Sequence, residues 1–454
     1  MSGATLAVQS RRVVTPEGIR SACIRIEDGV IASVGASEPP ARRERGVHDF
    51  GDRLVLPGLV DSHVHVNEPG RTRWEGFASA TRAAALGGVT TLVDMPLNSD
   101  PPTTTPEALA RKRRAAARAA FVDVGAWAGL VPDSLGHLEA LAVAGALGFK
   151  AFLVDSGIPE FPPVDEWALR NAMPVIAALG LPLLVHAELP GPMRRARRRL
   201  TPSDRRRHAV WERSRPVEAE VEAIDLLARL AGETGCRTHV VHVSSAAGVE
   251  RLRRAREEGV PMSGETCPHY LIWTGEEIPD GETPFKCAPP IRGAGDREAL
   301  WRGLEGGALE LVVSDHSPAP PPLKRLEEGD FFAAWGGIAS LGLGLTAAWA
   351  SASARGIPIE SLAGWMSRGP ARLAGLSRKG EIRVGADADL VVFDPAPERV
   401  LSVTDLRFRH PVSPYVGARA RGRVEVVLQR GRWLVSGGAL VEGPRGSWLE
   451  REDG

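Results

Sequence analysis

Lysine is nearly missing from this chain. Of its 56 basic residues only five are lysine: Lys112, Lys150, Lys286, Lys324 and Lys379. Arginine serves most surface roles equally well, so a lysine kept against such a bias raises the question of what its amine does. Charge of either sign is not in excess, because 56 acidic residues balance the basic ones. That balance argues against nucleic acid or a membrane surface as partner. No apolar run is long enough to span a bilayer. The opening MSGATLAVQSRRVV lacks the charged-then-apolar order of a signal peptide. The four cysteines, Cys23, Cys236, Cys267 and Cys287, are too few and too scattered for a disulfide framework, and they point to a reduced cytoplasm.

What is present is apolar material in a regular order. The 454 residues are 43% hydrophobic, enough for one large domain with a small companion. Eight short apolar runs lie at 54–66, 88–95, 121–130, 145–154, 181–188, 237–245, 260–267 and 309–315. Ala-, Arg- and Glu-rich stretches such as 106–120 and 218–235 separate them and read as helices. Near-continuous apolar strands alternating with helices indicate a parallel sheet buried on both faces. Eight such units predict an α/β fold, a (β/α)8 TIM-type barrel, over 54–377. An open doubly wound sheet is the alternative, but no GxGxxG phosphate loop accompanies these strands. The two ends, 1–53 and 378–454, carry short β-like pieces with turn signals and predict one small discontinuous β-sandwich. The arginine-dense stretch 193–216, without interleaved aromatics, reads as a solvated loop or helix after a strand.

A barrel builds its active site at the carboxyl ends of its strands. The first run ends in His63-Val64-His65, and an i, i+2 pair on a strand puts both imidazoles on one face. The fifth ends in His186, the sixth in His242 and the eighth in Asp315. Each alone has a structural explanation. Together, imidazoles and a carboxylate at four strand ends suit a borderline divalent metal. By the period-two rule His239 faces opposite to His242, toward the helices. Lys150 lies inside the fourth run, where a buried ammonium is costly unless paired. Either it has an acidic neighbour, or its amine is carboxylated to a carbamate able to bridge two cations. Arginine, always protonated, cannot undergo that reaction.

The segments DSHVHVNEPGRTRWEGF, GFKAFL, LLVHAE, VVHVSSAAGVE, GETCPHY, FKCAPPIR and LVVSDHSPAP closely resemble the cyclic amidohydrolases of the amidohydrolase superfamily. The terminal GEIRVGADADLVVFDP resembles that superfamily's small β-sandwich. The resemblance covers essentially the whole chain, and within the family VDMPLNSDPPTT, AWGGIAS and RHPVSPYVGA are most similar to the allantoinase branch. It implies that His63, His65 and Asp315 hold one divalent ion, His186 and His242 a second, and carboxylated Lys150 bridges them. Zinc is the expected metal, with iron, cobalt or manganese as alternatives. Asp315 is the expected catalytic base and acid. Asn98 and Cys287, with groups near Ala288 and Ser317, are the expected substrate contacts. For Cys287 a small buried hydrophobe is an equal alternative. His316 contacts substrate or orients Asp315, and His269 is structural. The implied activity is hydrolysis of a small neutral cyclic amide, allantoin to allantoate, by a homotetramer.

Three alternatives are weighed against it. The dihydroorotase pattern has an arginine where Asn67 stands and a histidine near Ala319, so this chain lacks that carboxylate clamp, although Arg71 is close by in sequence. Hydantoinases and dihydropyrimidinases place a tyrosine soon after the bridging lysine, and the stretch from Lys150 to Asp155 has none. Metal-free scaffold relatives lose ligands, whereas all six are kept here.

Overall fold

The computed structural model describes residues 6–37, 46–200 and 204–451. The outermost residues of the two predicted terminal segments, part of 1–53 and three residues of the 193–216 stretch therefore lie outside the described residues. The chain opens with β1 (Leu6–Thr15), β2 (Gly18–Glu27), β3 (Val30–Gly35), β4 (Val47–Asp49) and β5 (Leu54–Pro57). Next come β6 (Leu59–Val64), β7 (Val89–Asp94), β8 (Asp123–Ala126), β9 (Ala128–Gly129) and β10 (Phe149–Phe152). They are followed by β11 (Leu183–His186), β12 (Thr238–Val240), β13 (Met262–Thr266) and β14 (Leu311–Val312). The last four are β15 (Leu390–Val400), β16 (Arg419–Gln429), β17 (Arg432–Ser436) and β18 (Ala439–Leu440).

All eight apolar runs contribute strands to parallel sheets. Strands β6, β7 and β8 form one sheet, and β9 to β14 pair in sequence order in another. Trp127 alone separates β8 from β9. At the opposite edges Val64 forms a parallel bridge with His316, and the His65 amide donates to the His316 carbonyl at 2.8 Å. Helices fill the intervals, some of them with side-chain caps. Thr105 caps Pro106–Ala119 and Asp165 caps Glu166–Ala178, each accepting a bond from an amide three residues on. The predicted helix at 218–235 is Val217–Thr234.

The run 54–66 proves to be two strands in different sheets. β5 pairs with β1 and β15, whereas β6 pairs with β7. The break is Gly58, where a Cβ would lie 2.2 Å from Thr90 Oγ1, so only glycine allows the crossing. Strands from both chain ends build a single nine-stranded sheet, β18-β17-β16-β15-β5-β1-β2-β3 with β4 on β1. It has its own apolar core, including Val8, Ile24, Val55, Leu390 and Leu428. The final residues leave this sheet: Val124 of β8 accepts from the Leu449 amide at 2.8 Å and donates to the Ser447 carbonyl at 2.9 Å.

All five lysines are buried. Lys112 meets Asp94 and the Met95 carbonyl. Lys379 reaches Asp123 at 2.7 Å and Asp387 and Asp389 at 2.8 Å each, tying the terminal sheet to β8.

Candidate active site

The carboxyl ends of the parallel strands surround a cavity of about 330 Å³. His63, His65, His186, His242 and Asp315 all line it, with Asn98, Ala288 and Ser317. A larger cleft of about 1010 Å³ opens at the amino ends of β12 and β13, but its single histidine is His239 and it gathers no ligand set. The chemistry lies in the smaller cavity.

Hydrogen bonds decide which imidazole nitrogen each histidine offers. His63 Nδ1 lies 2.5 Å from Glu265 Oε1, and His65 Nδ1 lies 2.7 Å from the Leu97 carbonyl. Both Nδ1 atoms are therefore donors, which leaves each Nε2 lone pair facing Asp315 Oδ1 at 3.2 and 3.8 Å. The ligand atoms of His63, His65 and Asp315 fall within 4.8 Å of one another. His186 reverses the pattern. Its Nε2 donates to Glu188 Oε2 at 2.7 Å, so Nδ1 faces inward, 3.0 Å from His242 Nε2. His242 Nδ1 and Lys150 Nζ are buried without hydrogen-bond partners among the described residues.

Electrostatics favour ligand-competent forms. Burial pushes His186 down to about 4, and it pushes His65 and His242 well below the usual range, so these imidazoles are neutral at pH 7. Burial also lowers Lys150 to about 7 although the charges of Glu265 and Asp315 oppose it; no carboxylate forms an ion pair with its amine among the described residues, and the Phe152 ring lies 5.0 Å away. The salt-bridge explanation for Lys150 therefore fails. Burial raises Asp315. Burial alone would raise Glu188 too, but Arg215 and His186 hold it down at about 2. These neutral imidazoles, facing lone pairs and an orphaned amine form a donor set that fits divalent cations.

Backbone strain concentrates at the same strand ends. His242, Asp315 and Asn67 have φ of 41°, 43° and 64°, in the left-handed region that non-glycine residues rarely adopt. The kink at His242 breaks the alternation on which His239 was placed. His239 does not pack toward the helices. Its Nε2 lies 3.0 Å from Glu265 Oε2, so it supports the carboxylate that orients His63.

Two expected substrate contacts are not on the cavity wall. The Cys287 thiol is buried beside it, and burial pushes it up to about 12, as the small-hydrophobe reading requires. The His316 ring turns away: its Nδ1 accepts from the Ser340 and Leu341 amides at 3.0 and 3.2 Å, and its Nε2 faces Glu75 at 3.5 Å. His269 is fully buried, its ring nitrogens have no hydrogen-bond partner among the described residues, and it lies in a group with Cys267 and Asp315. Arg71 is also spent, on the Asn98 carbonyl at 2.9 Å and Glu160 at 3.1 Å.

Sequence reasoning missed Glu265, Glu188, Arg215, Trp211, Lys286 and Trp335. Glu188 stands two residues after His186, a spacing that marks a carboxylate beside a ligand. Trp211 and Arg215 end the 193–216 stretch and line the cavity, so that stretch is not merely a solvated loop. Arg215 is paired with Glu188, Nε to Oε1 at 3.0 Å. Lys286 is held by backbone carbonyls. Both wall cations already have protein acceptors.

The amidohydrolase family pattern matches residues 54–434. Allantoinase of Streptomyces avermitilis is 45% identical over 452 residues, covering 100% of both chains. Allantoinase of Arabidopsis thaliana is 41% identical, covering 97% of this chain and 90% of that protein. Among solved structures, the L-hydantoinase (dihydropyrimidinase) from Arthrobacter aurescens superposes with a TM-score of 0.92 at 32% identity, over 99% of this chain and all of that one. The dihydropyrimidinase from Brevibacillus agri gives 0.89 at 28%, over 98% of each. This chain belongs to the amidohydrolase family.

Proposed function

We propose that the protein hydrolyses the ring amide of allantoin to give allantoate, with two divalent cations. One observation carries the reading: four inward imidazoles, Asp315 and an unpartnered buried lysine converge on one cavity, in a chain similar over its full length to allantoinases. His63, His65 and Asp315 would hold one cation, and His186 and His242 the other. Lys150, as carbamate, would bridge them, and zinc is the metal the donor set favours over iron, cobalt or manganese. Bound cations lower the pKa of a shared water toward neutrality and polarise the ring carbonyl.

The remaining steps belong to the chain's own residues. Asp315 takes a proton from the attacking water and delivers it to the departing ring nitrogen. A C–O bond forms, the ring C–N bond breaks, and the nascent carboxylic acid loses its proton to water. Asn98, Ala288 and Ser317 border the space left for the ring. Arg215 and Lys286 are committed to protein acceptors, which supports a neutral substrate over dihydroorotate.

The surrounding architecture is read in the same way. The parallel sheets, joined across Trp127 and by the Val64–His316 bridge, would close as one (β/α)8 barrel. The nine-stranded sheet of 1–53 and 378–454, with β5 added and 446–449 subtracted, would be the companion sandwich. No helix among the described residues is long and apolar enough to cross a membrane, and the four cysteines are buried and form no disulfide among the described residues. A cytoplasmic homotetramer is what the family resemblance implies.

The test is turnover. Metal-loaded protein should convert allantoin to a product heavier by one water, with chelator abolishing the activity. Absence of that product would overturn the reading.

A further inference from the structure

Among the described residues, three groups of side chains bring potential ligand atoms within 4.8 Å of one another. His63, His65 and Asp315 belong to the site already described. Asp123, Asp387 and Asp389 are filled by the Lys379 ammonium, at 2.7, 2.8 and 2.8 Å. The remaining group, Cys267, His269 and Asp315, contributes only its aspartate to the mechanism above. Two neighbouring parallel strands assemble it. β13 ends at Thr266, so Cys267 follows directly and His269 lies in the short helix Pro268–Ile272. β14 pairs with β13 through Glu265–Leu311 and Thr266–Val312, which carries Asp315 to the same end of the sheet. Of the three side chains only Asp315 lines the cavity.

All three side chains are buried, Cys267 and His269 completely. Neither ring nitrogen of His269 has a hydrogen-bond partner among the described residues. Burial lowers this imidazole to about 3, so it is neutral at pH 7 and keeps a lone pair. Its packing on Tyr270, with ring centroids 4.4 Å apart, asks only for an apolar ring. An imidazole left unpaired in the interior costs free energy that a phenylalanine would not. A cation accepted by the lone pair offsets that cost. The donors also narrow the choice of ion. A thiol, an imidazole and a carboxylate suit zinc or cadmium, whereas magnesium and calcium take oxygen ligands. Burial pushes the Cys267 thiol well above its usual range, so the ion must displace the thiol proton to water as the metal–sulfur bond forms.

We propose that Cys267, His269 and Asp315 form a third cation site, for a soft divalent ion such as zinc or cadmium, which shares Asp315 with the two-cation site. An ion held there engages a carboxylate that Asp315 needs as base, so excess soft metal inhibits turnover. The site stands on its own geometry. The inhibition rests on the allantoin reading above and on the role of Asp315 in it.

The probe is cadmium chloride, titrated into zinc-loaded protein. Cadmium bound to a thiolate absorbs in the ultraviolet by charge transfer, and no proposed ligand of the two-cation site is a thiol, so the band reports on cysteine alone. Wild type should develop the band. Cys267→Ser, which keeps the size of the side chain, should lose it. His269→Gln should weaken the titration about 100-fold, the upper end of what even the outer partners of metal ligands contribute. The cadmium concentration that halves allantoin turnover should rise about 100-fold in Cys267→Ser on the same grounds, each protein being measured against its own uninhibited rate. No band in wild type, or a band of full size in Cys267→Ser, would overturn the site. A lost band with unchanged inhibition would overturn the coupling through Asp315. Wild-type protein without allantoin turnover would refute the functional reading instead, and the band would still decide the site.

Discussion

Glu188→Gln isolates one contribution to the metal site. Glu188 is fully buried, accepts from His186 Nε2 at 2.7 Å and pairs with Arg215. Glutamine keeps the size and an acceptor oxygen but removes the charge. The bond to His186 then falls from the charge-assisted class, worth about 1.5–3 kcal/mol, to the neutral class, worth about 0.5–1.5. The difference, roughly 1.4 kcal/mol, corresponds to about tenfold in affinity, the lower end of what outer hydrogen-bond partners of metal ligands contribute. The loss should fall on one ion only. Competition with a chromogenic chelator, resolving two binding steps, should show weaker binding for the ion held by His186 and His242. The step assigned to His63, His65 and Asp315 should be unchanged. Equal weakening of both steps, or of neither, would refute the tautomer argument.

Two further outcomes concern stability. Lys379→Met would leave Asp123, Asp387 and Asp389 buried with only Arg430 on Asp123 and Arg378 on Asp387 among the described residues as cations, and breaking such a buried network costs about 3–5 kcal/mol. With an unfolding entropy near 2.1 cal/mol/K per residue, about 1 kcal/mol/K for this chain, Tm should drop by about 3–5 °C, and calorimetry showing no drop would contradict the clamp. Metal-free protein should lose stability as the pH falls from about 6.5 toward 4. Burial lowers His186 and His208 to about 4 and His269 to about 3, so over that window the unfolded chain binds protons that the native state does not. A flat Tm between pH 6.5 and 4 would count against it.

The strands and the histidines and aspartate that line the cavity were legible because they depend on local pattern. An apolar run announces a buried parallel strand, and His63-Val64-His65 announces a shared face. What escaped the sequence depends on distant partners or on broken periodicity. The β5–β6 division at Gly58 exists only because β15, more than three hundred residues later, pairs with the first half of one apolar run. His239 was misplaced because alternation holds only while the backbone stays extended, and His242 does not. Lys112 and Lys379 look like surface residues in an arginine-rich context, since their acids, Asp94 and Asp123, lie 18 and 256 positions away. Cys287 and His316 stand beside true wall residues, and adjacency in sequence did not decide which side chain faces the cavity.

The central claim is a two-cation site bridged by the Lys150 amine. Metal content per chain, measured on wild type and Lys150→Arg purified in parallel, tests it most directly. The account predicts two divalent ions in the wild type and at most one, with no allantoin turnover, in a folded variant that keeps the positive charge. Two ions and full activity in Lys150→Arg would contradict it.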